Sequence, residues 1–184
     1  AGCLALTALR PSGRQGRVRR RFLSAVTPEG LSFCTETAAA VCGRVYVLED
    51  SYGLAPALLQ RVLEQALQLG QTCLVCYTPL QPDGAPAHLL VPGAGAAFVA
   101  SSPDFPYAGE RCCTLELDGT LPPAARSTLR FARDTAGTLL RKAAEHVREA
   151  KRIHDELEAL CRPYVDFAAA DALAERTLHE LFPT

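Results

Sequence analysis

Short apolar runs rich in β-branched residues alternate along this chain with longer stretches in which apolar residues recur at helical spacing. The clearest strand is residues 44–48, Arg-Val-Tyr-Val-Leu, and the clearest helix is residues 56–69, which ends before Gly70. Further strands are predicted at residues 22–26, 73–78, 88–91, 96–100 and 112–117. Crossover helices that join parallel strands produce this alternation, so the sequence predicts an α/β fold with a mainly parallel sheet.

Other helices are predicted from capping residues and from composition. Thr27, Pro28 and Glu29 have the order of an N-cap, a first-turn proline and a first-turn acid, which predicts a helix running toward Cys42. Residues 121–161 predict a long helix with a break near Gly137, and residues 168–182 predict a closing helix. Apolar residues at near-heptad spacing predict a packed seam on the long helix: Leu140, Ala143, Val147, Ala150, Ile153 or His154, Leu157 and Leu160.

The composition is that of one folded domain. A chain of 184 residues that is 48% hydrophobic can bury a core, which excludes a disordered or fibrous protein. The expected organisation is a basic linker at residues 1–21, an α/β core at 22–120, and a helical segment at 121–184 that packs on the same domain. Prolines and glycines interrupt the longest uncharged stretch, and no charged region precedes the apolar residues 1–9. We therefore expect a soluble, cytoplasmic protein with no membrane partner.

The eight cysteines lie mostly within apolar runs, which favours buried free thiols over a disulfide framework. Cys73 and Cys76 have the spacing of a metal or redox pair. They fall in a predicted strand, however, where residues three apart point to opposite faces. His88 is expected to be structural, Asp104 a turn residue, and His154 an exposed helical residue beside Asp155 and Glu156. The sequence thus predicts no catalytic residue and no metal ligand.

The charge is unevenly distributed. Six arginines and no acid occur in the first 28 residues, whereas the rest of the chain holds thirteen basic and 20 acidic residues. Arginines in such an arm could hold nucleic acid through its phosphates. No aromatic residue interleaves with them, so a solvated linker leading into the first strand is the favoured interpretation and a nucleic-acid partner is not expected.

A glycine-bearing turn joins the strand at 44–48 to the helix at 56–69. In an α/β sheet this is where amide groups converge on a phosphate. A phosphate loop also needs several glycines, a lysine, and a serine or threonine for magnesium. This turn holds two acids, a single glycine and no lysine, and its residues are our candidate degenerate phosphate loop: Glu49, Asp50, Ser51, Tyr52, Gly53, Leu54 and Ala55.

Several short segments, in order, resemble a known family: residues 21–30, 44–48 with the following turn, 76–82, 88–92, 97–102 and 154–158. Together they are similar to the C-terminal half of bacterial two-domain P-loop ATPase-like proteins, which carry two tandem nucleotide-binding modules. The resemblance implies a P-loop NTPase-like three-layer sandwich with a long C-terminal helical segment. It also implies that the chain is an excerpt and that its partner is an N-terminal P-loop domain or another protein subunit.

The chain departs from that family at two positions. The turn lacks the family's lysine, and Ala100 stands where a strand-end acid would assist magnesium. The first hypothesis is therefore a degenerate P-loop module that is catalytically inactive, needs no cofactor, binds nucleotide weakly or not at all, and acts as a structural or interaction domain. The alternative is an active ATPase or kinase that binds ATP with magnesium and uses Arg61 or an arginine of the arm in place of lysine. A nucleic-acid-binding protein is a third hypothesis.

Overall fold

The computed structural model describes residues 11, 13, 15–78 and 80–182. These residues fall into two compact units that divide between Val147 and Arg148. The first unit contains a six-stranded sheet and a two-stranded hairpin. The strands are β1 (Arg17–Arg21), β2 (Ser24–Thr27), β3 (Gly30–Phe33), β4 (Arg44–Glu49), β5 (Thr72–Cys76), β6 (His88–Val91), β7 (Ala96–Ser101) and β8 (Cys113–Glu116). The helices are α1 (Thr35–Val41), α2 (Ala55–Gln68), α3 (Pro123–Cys161) and α4 (Phe167–Leu181).

The large sheet is mixed, in the order β1-β5-β6-β7-β4-β8. Strand β6 runs antiparallel to both of its neighbours, and the remaining pairs, β1 with β5, β7 with β4, and β4 with β8, are parallel. The predicted α/β class with a mostly parallel sheet is confirmed. Among the described residues no helix combines the length and hydropathy needed to cross a membrane.

Helices pack on both faces of the sheet, and the side chains of β4 point alternately to one face and the other. Leu48 belongs to the cluster that contains Leu59 and Val62 of α2. Val45 and Val47 belong to a second cluster with Ala38 of α1. Successive strand residues point to opposite faces, so one six-residue strand contributes to both cores.

The cysteine pair of β5 follows the same rule. Cys73 lies in the cluster on the α2 face and Cys76 in the cluster on the α1 face. Burial raises the pKa of the Cys73 thiol to about 11 and that of Cys76 to about 12. The predicted opposite orientation is confirmed, and a thiol held neutral in an apolar core is a poor metal ligand or redox group.

The N-terminal part of the first unit differs from the sequence prediction. Residues 17–21, expected to be linker, form edge strand β1 beside β5. The strand predicted at 22–26 is confirmed with shifted bounds as β2, Ser24–Thr27. The helix start predicted at Thr27 is wrong, because β2 and β3 form an antiparallel hairpin there. Gly30 has φ +130°, and the Thr27 hydroxyl donates to the Gly30 carbonyl at 3.0 Å. These features close a turn at Pro28 and Glu29, so α1 starts only at Thr35.

Helix α3 is continuous, and the expected break at Gly137 is absent. Gly137 is buried, and a Cβ there would lie 2.8 Å from both carboxylate oxygens of Asp104. The glycine therefore provides room for a carboxylate rather than a kink.

The second unit begins at Arg148 and contains the last turns of α3 and all of α4. Asp166 caps α4, because its Oδ1 accepts the N–H of Ala169 at 2.9 Å. The predicted closing helix is confirmed. The packed seam is not found in this unit, because Ile153, Leu157 and Leu160 are each more than half exposed.

Candidate functional site

The candidate phosphate loop follows β4 at the carboxyl edge of three parallel strands. Strands β7 and β8 flank β4 on its two sides, and α2 begins at Ala55 directly after the loop. The carboxyl ends of parallel strands and the N-terminus of a helix converge here, which is the usual ligand position of an α/β sheet. Gly53, with φ +77°, supplies the left-handed residue that the turn requires.

The Asp50 carboxylate accepts backbone N–H groups of the loop, which are the type of group that binds an anion at the start of a helix. Its Oδ1 accepts the backbone N–H of Leu54 at 2.8 Å and of Tyr52 at 3.2 Å. Its Oδ2 accepts the N–H of Ala55 at 2.7 Å. Asp50 is only 7% exposed, so these three bonds form out of contact with most of the solvent. From within the loop, the side chain thus satisfies the amides of the N-cap residue Leu54 and of the first helical residue Ala55.

A second carboxylate reaches the loop from another part of the chain. Asp118 begins the 3-10 turn Asp118–Thr120 after β8, and its Oδ1 accepts the N–H of Ser51 at 2.8 Å. The N–H of Leu117 donates to the Glu49 carbonyl at 3.0 Å, which fixes the turn against the end of β4. Four of the five amides from Ser51 to Ala55 therefore donate to aspartate oxygens.

A pocket of about 390 Å³ opens beside the loop. Its walls come from the loop, from residues 102–104 after β7, and from α3 at Leu129 to Ala136. Arg133 is the guanidinium that lines it, and this group already pairs with Asp134 at 2.6 Å and lies 5.9 Å from the Tyr52 ring centroid. Asp104 pairs with Arg141 at 3.2 Å. The charged groups that line the pocket, Asp50, Asp104 and Arg133, thus each already have a partner.

The seven predicted site residues run from Glu49, the last residue of β4, to Ala55, the first residue of α2. Asp50 and Ala55 are buried, Gly53 is exposed, and the other members lie between these extremes. Glu49 stands 3.8 Å from Arg111. Arg61, the predicted lysine substitute, is an exposed residue of α2 and does not line the pocket. Asp118 escaped the sequence analysis, although the Asp-Gly that follows a strand was a visible turn signal.

Ala100 lies in β7 opposite Leu48 of β4. The neighbouring Ser101 is buried, and its hydroxyl oxygen accepts the N–H of Tyr107 at 3.2 Å. The end of β7 therefore offers no carboxylate at position 100 or 101 to hold a magnesium ion near the loop.

His88 is a core residue. Its Nδ1 accepts the N–H of Ala100 at 3.2 Å, and its ring stacks on Phe33 with centroids 5.0 Å apart. Burial lowers the pKa of His88 to about 4, so the ring is neutral at physiological pH. The hydrogen bond joins two strands of the sheet, which gives this histidine a structural role.

His154, Asp155 and Glu158 form a small exposed cluster on α3 in the second unit, with ligand atoms within 4.8 Å of one another. Lys151 already binds Asp155 at 2.7 Å. The cluster is therefore an ion-pair network on a solvated helix face.

Comparison with protein-family models, with curated proteins and with solved structures yields no match to this chain.

Proposed function

We propose that this protein is a degenerate P-loop-like module that keeps the strand–turn–helix scaffold of a phosphate site, does not hold a nucleoside triphosphate, and acts as an interaction domain. The observation that carries this proposal is the pair of aspartates whose carboxylates accept the loop amides. Asp50 takes three of these N–H groups and Asp118 takes a fourth. In a working phosphate loop such amides bind the ligand.

Electrostatics oppose a triphosphate at this loop. A phosphate about 4 Å from a carboxylate is repelled by about 4 kcal/mol for each pair of unit charges at an effective dielectric constant of 20. The same phosphate would have to displace Asp50 from three buried hydrogen bonds, and a carboxylate left without those donors is costly to keep buried. The charge repulsion and the loss of the Asp50 hydrogen bonds both disfavour nucleotide binding.

The positive groups that could offset this repulsion are engaged or distant. Arg133 lines the pocket but pairs with Asp134, and Arg61 lies outside the pocket lining. With alanine at position 100, a metal bridge to the phosphates also lacks its strand-end ligand. The alternative of an active ATPase with a substitute basic residue therefore has weaker support than the inactive module.

The experiment is thermal unfolding of the full chain with and without magnesium ATP at about 5 mM. Binding with a Kd of about 50 µM would add about 2.7 kcal/mol to the free energy of unfolding and raise Tm by roughly 5–10 °C. We expect a shift below about 1 °C, since nucleotide gains no differential affinity for the folded state. A rise of several degrees that magnesium ADP reproduces and sodium sulfate does not would overturn the proposal.

A further inference from the structure

The opposite edge of the sheet carries a basic groove that the candidate site does not use. It encloses about 870 Å³ and is lined by residues that include Gln15, Arg17, Arg19, Gln71, Leu74 and Pro92. No carboxylate is among the residues that line it. Its volume lies within the usual range of ligand-binding clefts.

The two arginines of the groove lie side by side. Arg17 pairs with Thr72 and Arg19 with Leu74 in the register of β1 and β5, so both side chains project from the same face of the sheet. The backbone positions of Arg17 and Arg19 are about 7 Å apart, the rise of two residues along a strand. Within the described part of the chain, neither guanidinium has a hydrogen-bond or ion-pair partner.

Arg20, on the same strand, differs because its guanidinium has several partners. Its guanidinium donates to the Pro82 carbonyl, binds Asp83 at 2.8 Å and lies 4.5 Å from the Tyr77 ring centroid. These contacts lie on the other face of β1. Among the described residues, Arg17, Arg19 and Arg21 of this strand have no acidic partner, and Arg17 and Arg19 are the two that line the groove.

The main chain of β1 offers further hydrogen bonds. Arg17 donates its backbone N–H to Gln71 at 3.2 Å, and the Arg21 carbonyl accepts from Tyr77 at 3.0 Å. In a parallel ladder the residues between such pairs direct their N–H and C=O groups away from the partner strand. Val18 and Arg20 thus turn these groups toward the outer edge, where, among the described residues, β1 has no second strand. The Arg20 carbonyl already accepts from the Arg21 guanidinium at 2.8 Å, so a ligand would bind chiefly the Val18 N–H and C=O and the Arg20 N–H.

We propose that this edge and groove bind an acidic peptide segment of a partner protein, which adds beside β1 as an extended strand with its carboxylates on Arg17 and Arg19. Strand addition uses main-chain hydrogen bonds for affinity and alternate side chains for specificity. A single-stranded nucleic acid would favour an aromatic stacking platform, and no aromatic residue lines the groove. The groove thus gives the proposed interaction role a defined partner chemistry.

The test is fluorescence anisotropy of the full chain with a labelled peptide of about eight residues in which glutamate and valine alternate. Matched probes are the same peptide with lysine in place of glutamate, and an oligothymidylate of equal length. We expect saturable binding of the glutamate peptide only. The double variant R17Q/R19Q should weaken it at least about tenfold. The control R130Q/R176Q, which removes two exposed charges elsewhere, should leave Kd within about twofold.

Two further measurements separate strand addition from general charge attraction. The variant R17E/R19E should bind the lysine peptide in place of the glutamate peptide. Hydrogen exchange should slow at the Val18 and Arg20 amides when the glutamate peptide binds to the unmodified chain. The inference is overturned by tighter binding of oligothymidylate, by equal loss in the control variant, by protection away from β1, or by no binding of the glutamate peptide. None of these outcomes depends on ATP, so this test and the nucleotide test fail independently.

Discussion

Replacing Asp50 with asparagine tests how far the loop depends on its own carboxylate. The Asn Oδ1 can still accept from Leu54 and Tyr52, but the amide nitrogen then faces the N–H of Ala55, which Oδ2 now accepts at 2.7 Å. Leaving that buried donor unsatisfied costs about 1–3 kcal/mol. Losing the negative charge at the N-terminus of α2 costs about 1 kcal/mol more. We therefore expect Asp50→Asn to lower the free energy of unfolding by about 2–4 kcal/mol.

Urea unfolding followed by circular dichroism measures this change, with the slope of the transition checked to be the same in both proteins. The matched control is Glu64→Gln on the same helix, where the exposed carboxylate accepts from Gln60 at 2.9 Å. That substitution should cost less than about 0.5 kcal/mol. Equal effects of the two substitutions would refute the reasoning, because Asp50 would then be an ordinary surface acid.

Three further predictions concern Asp118, His88 and the cysteines. Asp118→Ala frees the Ser51 N–H and should cost about 1–2 kcal/mol in the same urea assay, while an unchanged midpoint would argue against the bond. His88 should make the protein sensitive to acid. Below pH 6.5 this histidine is protonated in the unfolded chain, whereas in the folded protein it stays neutral until about pH 4. Stability therefore falls by about 3 kcal/mol as pH drops through that window, and His88→Asn, which retains an acceptor for Ala100, should flatten this part of the pH profile. Finally, a thiol reagent at about pH 8 should label exposed Cys34, Cys112 and Cys161 in the native protein, while Cys73 and Cys76 react only after unfolding; rapid labelling of the latter pair, read by mass spectrometry, would contradict their burial.

The parts of the fold that the sequence predicts well are those set by local pattern. Strand β4 and helix α2 are close to the expected bounds because their apolar periodicity is unbroken and a glycine separates them. Strand β1 was missed because its five residues are all exposed, so no apolar alternation marks it. Its strand conformation comes from pairing with β5, more than 50 residues away in the chain. A Thr-Pro-Glu triplet fits a helix start and a hairpin turn equally well, and the pairing of β2 with β3 decides between them.

In the candidate site, too, local features were predictable from the sequence and contacts between distant residues were not. The sequence predicts where the loop lies and predicts a chemistry unsuited to phosphate, because both predictions depend on adjacent residues. It does not show that Asp50 folds back on the loop amides, since that depends on the turn at Gly53. Asp118 joins from 67 residues beyond Ser51, a contact that only the position of β8 beside β4 creates.

The central claim is that aspartates occupy the anion site of the loop, and amide chemical shifts test it most directly. In a ¹⁵N-labelled sample, the resonances of Ser51, Leu54 and Ala55 should not move as magnesium ATP is added to about 10 mM, since their protons are already donated to Asp50 and Asp118. Saturable shifts of these three amides in the unmodified protein would contradict the account.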